Sequence, residues 1–236
     1  MGNRVPGEGL VADRGLHHHR DGDREGDGRP VVGVLALQGD VLENLRMLSA
    51  AGASARPVRR ADELDGLAGI LIPGGESTTM GKLAALYGLM EPLRDRIAAG
   101  MPAFGTCAGA ILLGARVQRF DGEPLDQPLL GVMDTVVRRN AFGRQVDSFE
   151  ADLDIAGVTG IDGGGPMQAL FIRAPWIEQH GPQVEVLAEV ATPLGARVVV
   201  ARQGAVLASA FHPELTEDIR LHRHFVQQLV LARSTP

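Results

Sequence analysis

The chain has 236 residues, 44% of them hydrophobic and 22% charged, with a formal net charge of −6 and a pI of about 5.6. That composition belongs to a globular protein. The acidic balance excludes nucleic acid as the principal partner, and no apolar run is long enough to span a membrane. One cysteine, Cys107, excludes an internal disulfide framework and fits a reducing, cytoplasmic compartment.

Residues 1–29 form an N-terminal extension of glycine and interleaved Arg and Asp. It has too few aliphatic residues to offset its ordering entropy, so disorder is expected. His17–His19 in such a tail read as a solvated run or tag remnant, not a metal site. A single domain over residues 30–236 is expected to follow. It opens on the apolar run Val31–Leu37, the pattern of a strand buried on both faces. Gln38-Gly39-Asp40 turns the chain into a helix with Val41, Leu42, Leu45 and Leu48 inward and Gly52 as its stop. A strand at 54–58, a short helical piece at 61–64 and a strand at 69–72 complete a βαβ rhythm, which predicts a parallel sheet.

Pro73-Gly74-Gly75-Glu76-Ser77-Thr78-Thr79 follows directly, where parallel sheets bind ligands beyond the carboxyl ends of their strands. Ser77 or Thr78 is the expected helix cap, and Pro92 is expected to open a second helix that ends by Gly100. Pro102–Thr106 reads as a short buried strand that turns sharply into a helix at Cys107. Gly105, Ala108 and Gly109 leave room for strand and helix to approach, which makes this a nucleophile elbow. Residues 119–128 are expected to be a surface loop. Beyond them, short strand-like segments at 130–137, 148–153, 169–172, 184–190, 197–202 and 206–211 suggest antiparallel additions to the sheet. An amphipathic helix over 216–231, capped by Thr216, should close the chain.

The last strand ends in Phe211-His212-Pro213-Glu214. In an extended segment, residues two apart share a side, so Glu214 can hold one imidazole nitrogen and turn the other toward a thiol. Cys107, His212 and Glu214 are therefore candidates for nucleophile, base and orienter. The backbone N–H groups of Gly75 and Ala108 are the candidate oxyanion donors.

Gly-Thr-Cys-Ala-Gly at 105–109 together with His-Pro-Glu at 212–214 resembles the class I (triad) glutamine amidotransferases. Several further stretches narrow the likeness: 73–79, Leu37-Gln38-Gly39, Arg139-Asn140-Ala141-Phe142-Gly143-Arg144-Gln145, Ser148-Phe149-Glu150 and Phe171-Ile172-Arg173-Ala174-Pro175. With them, residues 31–231 resemble the family of glutaminase subunits of pyridoxal 5′-phosphate synthase. The resemblance implies an α/β fold of three layers, flavodoxin-like, with a mainly parallel central sheet, flanking helices and antiparallel additions. It implies hydrolysis of L-glutamine to L-glutamate and ammonia by a glutaminase that stays nearly idle until its partner docks, and transfer of the ammonia to that partner, a separate (β/α)8-barrel synthase subunit. It maps glutamine binding to Gly75, Glu76, Ser77, Arg139, Ile172 and Arg173, and implies no metal or cofactor. Two alternatives stand beside it: the glutaminase subunit of another amidotransferase, such as that of histidine biosynthesis, and a non-catalytic interaction subunit.

Overall fold

The computed structural model describes residues 28–142, 148–160 and 164–232. Nearly all of the expected disordered extension lies outside the described residues, as do Gly143–Gln145 and part of the 162–165 glycine turn. The strands are β1 (Val31–Leu35), β2 (Ser54–Val58), β3 (Gly69–Ile72), β4 (Ala103–Thr106), β5 (Gly114–Gln118), β6 (Met133–Arg138), β7 (Ser148–Leu153), β8 (Met167–Ile172), β9 (Trp176–His180), β10 (Glu185–Thr192), β11 (Gly195–Gln203) and β12 (Val206–Ser209). The helices are α1 (Val41–Ala50), α2 (Ser77–Leu86), α3 (Met90–Ala98), α4 (Ala108–Leu113) and α5 (Arg220–His224), the last running on as a π-helical segment, Phe225–Leu231.

The main sheet has the order β2-β1-β3-β4-β12-β11-β9-β6-β5, with β10 added against β11. From β2 to β12 all pairings are parallel, because helical crossovers return the chain to the same edge. From β12 outward, the pairings with β11, β9 and β6 are antiparallel, as the short strand spacing predicts. Strands β7 and β8 form a separate antiparallel ribbon. The sheet is covered on one face by α1 and α5 and on the other by α2, α3 and α4, and its strands contribute to two buried clusters. This is the three-layer α/β fold expected.

Four local readings need correction. Leu42 is 63% exposed; Val41, Leu45 and Leu48 do pack against the core as expected, and Asn44 and Met47 take the remaining buried places of α1. The final helix begins at Arg220, not at 216. Pro213–Leu215 form a 3-10 turn, Thr216 Oγ1 accepts from the Asp218 N–H, and Asp218 Oδ1 accepts the Arg220 N–H in the cap's place. The starts of α2 and α3 also differ: Glu76, not Ser77 or Thr78, caps α2, and Pro92 is the third residue of α3, where its missing N–H would have no acceptor anyway. Strands β5 and β9 went unread because each is a half-polar segment that only its sheet partners make extended.

A buried polar pair joins the two ends of the chain. His222 of α5 is fully buried, and its Nε2 lies 3.0 Å from Asn44 Oδ1 of α1. Burial pushes its pKa down to about 3, so the folded protein holds it neutral. An unfolded His takes up a proton near pH 6.5, so its contribution to stability is complete above that pH and declines as pH falls toward 3. We expect the melting temperature to drop between pH 7 and pH 5. His222→Gln should flatten that slope; an unchanged slope in thermal melts would remove His222 as its source.

Candidate functional site

Strand order delivers the catalytic candidates to one place. β4 and β12 are parallel neighbours with Thr106 opposite Ser209, so the chain beyond each strand emerges side by side at the carboxyl edge. Cys107 is the first residue past β4, and its N–H donates to Ser209 O at 2.8 Å. Its backbone sits at φ 47°, ψ −101°, the strained corner expected of an elbow. Glycine at 109 permits it: any Cβ there would lie far inside contact with the carbonyl oxygen of Ile72.

His212 leaves β12 toward the same corner. Its Nδ1 is 2.8 Å from Glu214 Oε1 and 3.3 Å from Asp40 Oδ2. That leaves Nε2 as the ring nitrogen available to Cys107, which lines the same cavity. Burial by itself would lower the His212 pKa. Interactions with Asp40, Cys107 and Glu214 outweigh it and push the value up to about 12, so the ring is a cation at neutral pH. Asp40, His212 and Glu214 place one ligand atom each within 4.8 Å of one another, and a proton on Nδ1 offsets one of the two carboxylate charges.

These groups open on a cavity of about 330 Å³. Its lining includes every residue expected at the site except the buried Glu214: Cys107, Ala108, His212, Gly75, Glu76, Ser77, Arg139, Ile172 and Arg173. Ala108 opens α4, so its N–H has no acceptor within the helix. Among the described residues the non-glycines at positive φ are Cys107, Asn140 and Arg173, and all three line this cavity. Strain of that kind persists only where the surroundings enforce it. Here an aromatic cluster does so. Phe142 lies 5.5 Å from Phe171 and 5.2 Å from Trp176, and Phe171 lies 5.5 Å from Phe211, so the residues flanking Asn140, Arg173 and His212 pack as one block.

The loop before α2 is equally determined. Glu76 Oε2 accepts the Thr79 N–H at 2.7 Å, and Glu76 Oε1 pairs with Arg139 at 2.6 Å. Partial burial would raise the Glu76 pKa, but the N–H bonds of the helix start and Arg139 hold it down at about 2. Arg139 also donates to Thr78 Oγ1 at 2.8 Å. Arg173 has no ion pair among the described residues.

Four cavity or loop residues were missed from sequence. Gln38 Oε1 accepts the Glu76 N–H at 2.7 Å, and Asp40 reaches His212. Asn140 lines the cavity. Gln127, from the loop expected to be mere surface, is buried against Ser77 and Thr78. The position of Gln38 and Asp40 just past β1, at the same carboxyl edge, was the available signal. Gln127 gave none, since its loop meets α2 only in the fold.

Comparison with known proteins places this geometry in company. Residues 34–231 match the model of the SNO glutamine amidotransferase family. A pyridoxal 5′-phosphate synthase subunit PdxT from Acidothermus cellulolyticus is 65% identical over 199 residues, covering 84% of this chain and 93% of that protein. One from Parafrankia sp. is 58% identical over 198 residues, covering 84% and 92%. A crystal structure of a glutamine amidotransferase superposes with a TM-score of 0.74 at 50% identity, over 83% of this chain and 97% of that one. PurLQS from Thermotoga maritima shares the fold, with a TM-score of 0.63 at 16% identity over 88% of this chain.

Proposed function

Since the chain belongs to the SNO glutamine amidotransferase family, we propose that it hydrolyses L-glutamine to L-glutamate and ammonia and passes the ammonia to the (β/α)8-barrel synthase subunit of a pyridoxal 5′-phosphate synthase. The observation that carries the reading is that Cys107 and His212 line one cavity with Glu214 buried behind the imidazole, 2.8 Å from its Nδ1.

The chemistry follows from that arrangement. An imidazolium beside sulfur favours the negative sulfur that attack requires. Sγ of Cys107 adds to the amide carbon, and the oxygen that gains charge is met by the N–H groups of Gly75 and Ala108. His212, held by Glu214, gives its proton to the leaving nitrogen, and ammonia departs as the γ-glutamyl thioester forms. Water then gives a proton to His212 and attacks the thioester; glutamate leaves and the sulfur–imidazolium pair returns. No metal or cofactor enters this sequence. Arg173 and the remaining N–H groups of Arg139 are the candidate partners of the substrate α-carboxylate. Glu76 and Ser77 shape the loop, and Ile172 lines the stem. A cytoplasmic location fits a working thiolate; among the described residues no helix is long and apolar enough to cross a membrane.

Gating belongs to the same reading. The Gly74 carbonyl is held by the Asp40 N–H at 3.2 Å, so the Gly74–Gly75 peptide has a defined orientation that docking of the synthase can reset. Ammonia release from glutamine should therefore rise at least tenfold when the synthase subunit is added. Equal rates with and without it would end the gating proposal, and no release in either case would end the glutaminase reading.

A further inference from the structure

We propose that Asp40 is a second anchor of the base, a positioning residue whose carboxylate shares the Nδ1 side of His212 with Glu214. This rests on the glutaminase reading above and deepens it.

The two carboxylates differ in kind. Glu214 Oε1 lies 2.8 Å from Nδ1, and its side chain is wholly buried; Asp40 Oδ2 lies 3.3 Å from the same nitrogen, and its side chain is 34% exposed. Nδ1 carries one proton, so Glu214 takes the direct bond and Asp40 adds a nearby negative charge. Glu214 is also an incomplete anchor, because its Oε2 is buried with no hydrogen-bond partner.

Asp40 is not a mobile surface charge that happens to lie close. Its N–H donates to Gly74 O at 3.2 Å, and its carbonyl accepts from Asn44 Nδ2 at 2.8 Å. Asn44 is fixed in turn by the buried His222 at 3.0 Å. Glycine at 74 keeps the space between the two loops clear. A Cβ there would collide with the His212 ring and come within 2.9 Å of Asp40 Oδ2. The backbone of the oxyanion loop, the α1 entrance and the base are thus packed around one carboxylate.

The charged groups facing the ring are Asp40, Glu214 and Cys107. During turnover the sulfur loses its charge on acylation, while the two carboxylates remain. Asp40 then keeps the ring oriented, and cationic until the leaving nitrogen takes the proton. Removing its charge makes the imidazolium easier to deprotonate, so the alkaline limb of the rate profile moves to lower pH.

The test compares the full-length wild type with Asp40→Asn and Asp40→Ser. In ¹⁵N-histidine NMR of the chain alone, His212 should titrate about one to three pH units lower in both variants. In glutaminase assays with the synthase subunit, kcat should fall about tenfold with KM within about twofold, and the alkaline limb should shift the same way. Asp40→Glu should restore part of the titration shift. An unchanged His212 titration in a folded variant overturns the proposal. So does a KM increase of tenfold at constant kcat, which would assign Asp40 to the substrate ammonium instead. If the wild type releases no ammonia with its partner, the glutaminase reading falls, while the NMR titration still decides the Asp40–His212 coupling.

Discussion

Cys107→Ala reduces ammonia release to background, about 10⁴-fold or more below wild type, even with the synthase subunit present, while the complex still assembles. The expected loss is this large because the proposed reaction has no other nucleophile: the remaining oxyanion donors can only polarise the amide for water. The fold should survive the change. The elbow at φ 47° is held by the Cys107 N–H on Ser209 O and by the closeness of residue 109 to Ile72, neither of which uses the sulfur. Alanine also fills a smaller volume without introducing a polar group. A paired measurement checks both halves, glutamine-dependent ammonia release and co-elution with the synthase. Release surviving above about one percent of wild type would reject Cys107 as nucleophile.

Glu214→Gln lowers kcat by about 10³- to 10⁴-fold with little change in KM, because it leaves a neutral amide where the imidazolium needs a negative partner. The position is wholly buried, so water cannot replace the carboxylate. Its effect on stability has a definite sign. The folded pKa of His212 lies far above that of an unfolded His, at about 12. The stabilisation it represents is complete below about pH 6.5 and disappears as pH rises through the folded value. Losing Glu214 lowers that folded value, so the melting-temperature gap between wild type and variant should stay constant while both rings are charged and shrink as pH rises past the variant's lowered value. A gap that grows with pH would contradict the cationic ring. Asp40 remains in this variant, which is why the loss of rate is not expected to exceed that of Cys107→Ala.

Much of the fold was legible because its strands are local objects. β1, β3, β4 and β12 are short continuous apolar runs bounded by turn residues, and such runs between helical stretches leave little choice but a parallel sheet. The elbow was legible for a similar reason, since glycine at 105 and 109 around the lone cysteine has no simpler use. The antiparallel half was harder. β9 places Glu178, Gln179 and His180 in a strand of the main sheet, and no local pattern of apolar residues announces it. The 216–231 helix was misplaced by four residues because Thr216, a good cap by composition, is used instead inside the turn that carries Glu214.

From the chain alone came the identity of the reacting groups: a thiol at a forced corner, an imidazole at the end of a buried strand, a carboxylate two residues on, and a glycine-rich turn at the matching edge. Each is a short-range fact, written within a few residues of chain. The fold alone decided who surrounds them. Asp40 meets His212, Gln127 meets Ser77, and Phe142, Phe171 and Phe211 pack around the strained positions Asn140 and Arg173, because β1, β3, β4 and β12 are neighbours and their loops leave the sheet on one side. Contacts between residues tens to more than a hundred positions apart depend on sheet order and close packing, and neither is encoded in any single stretch of chain.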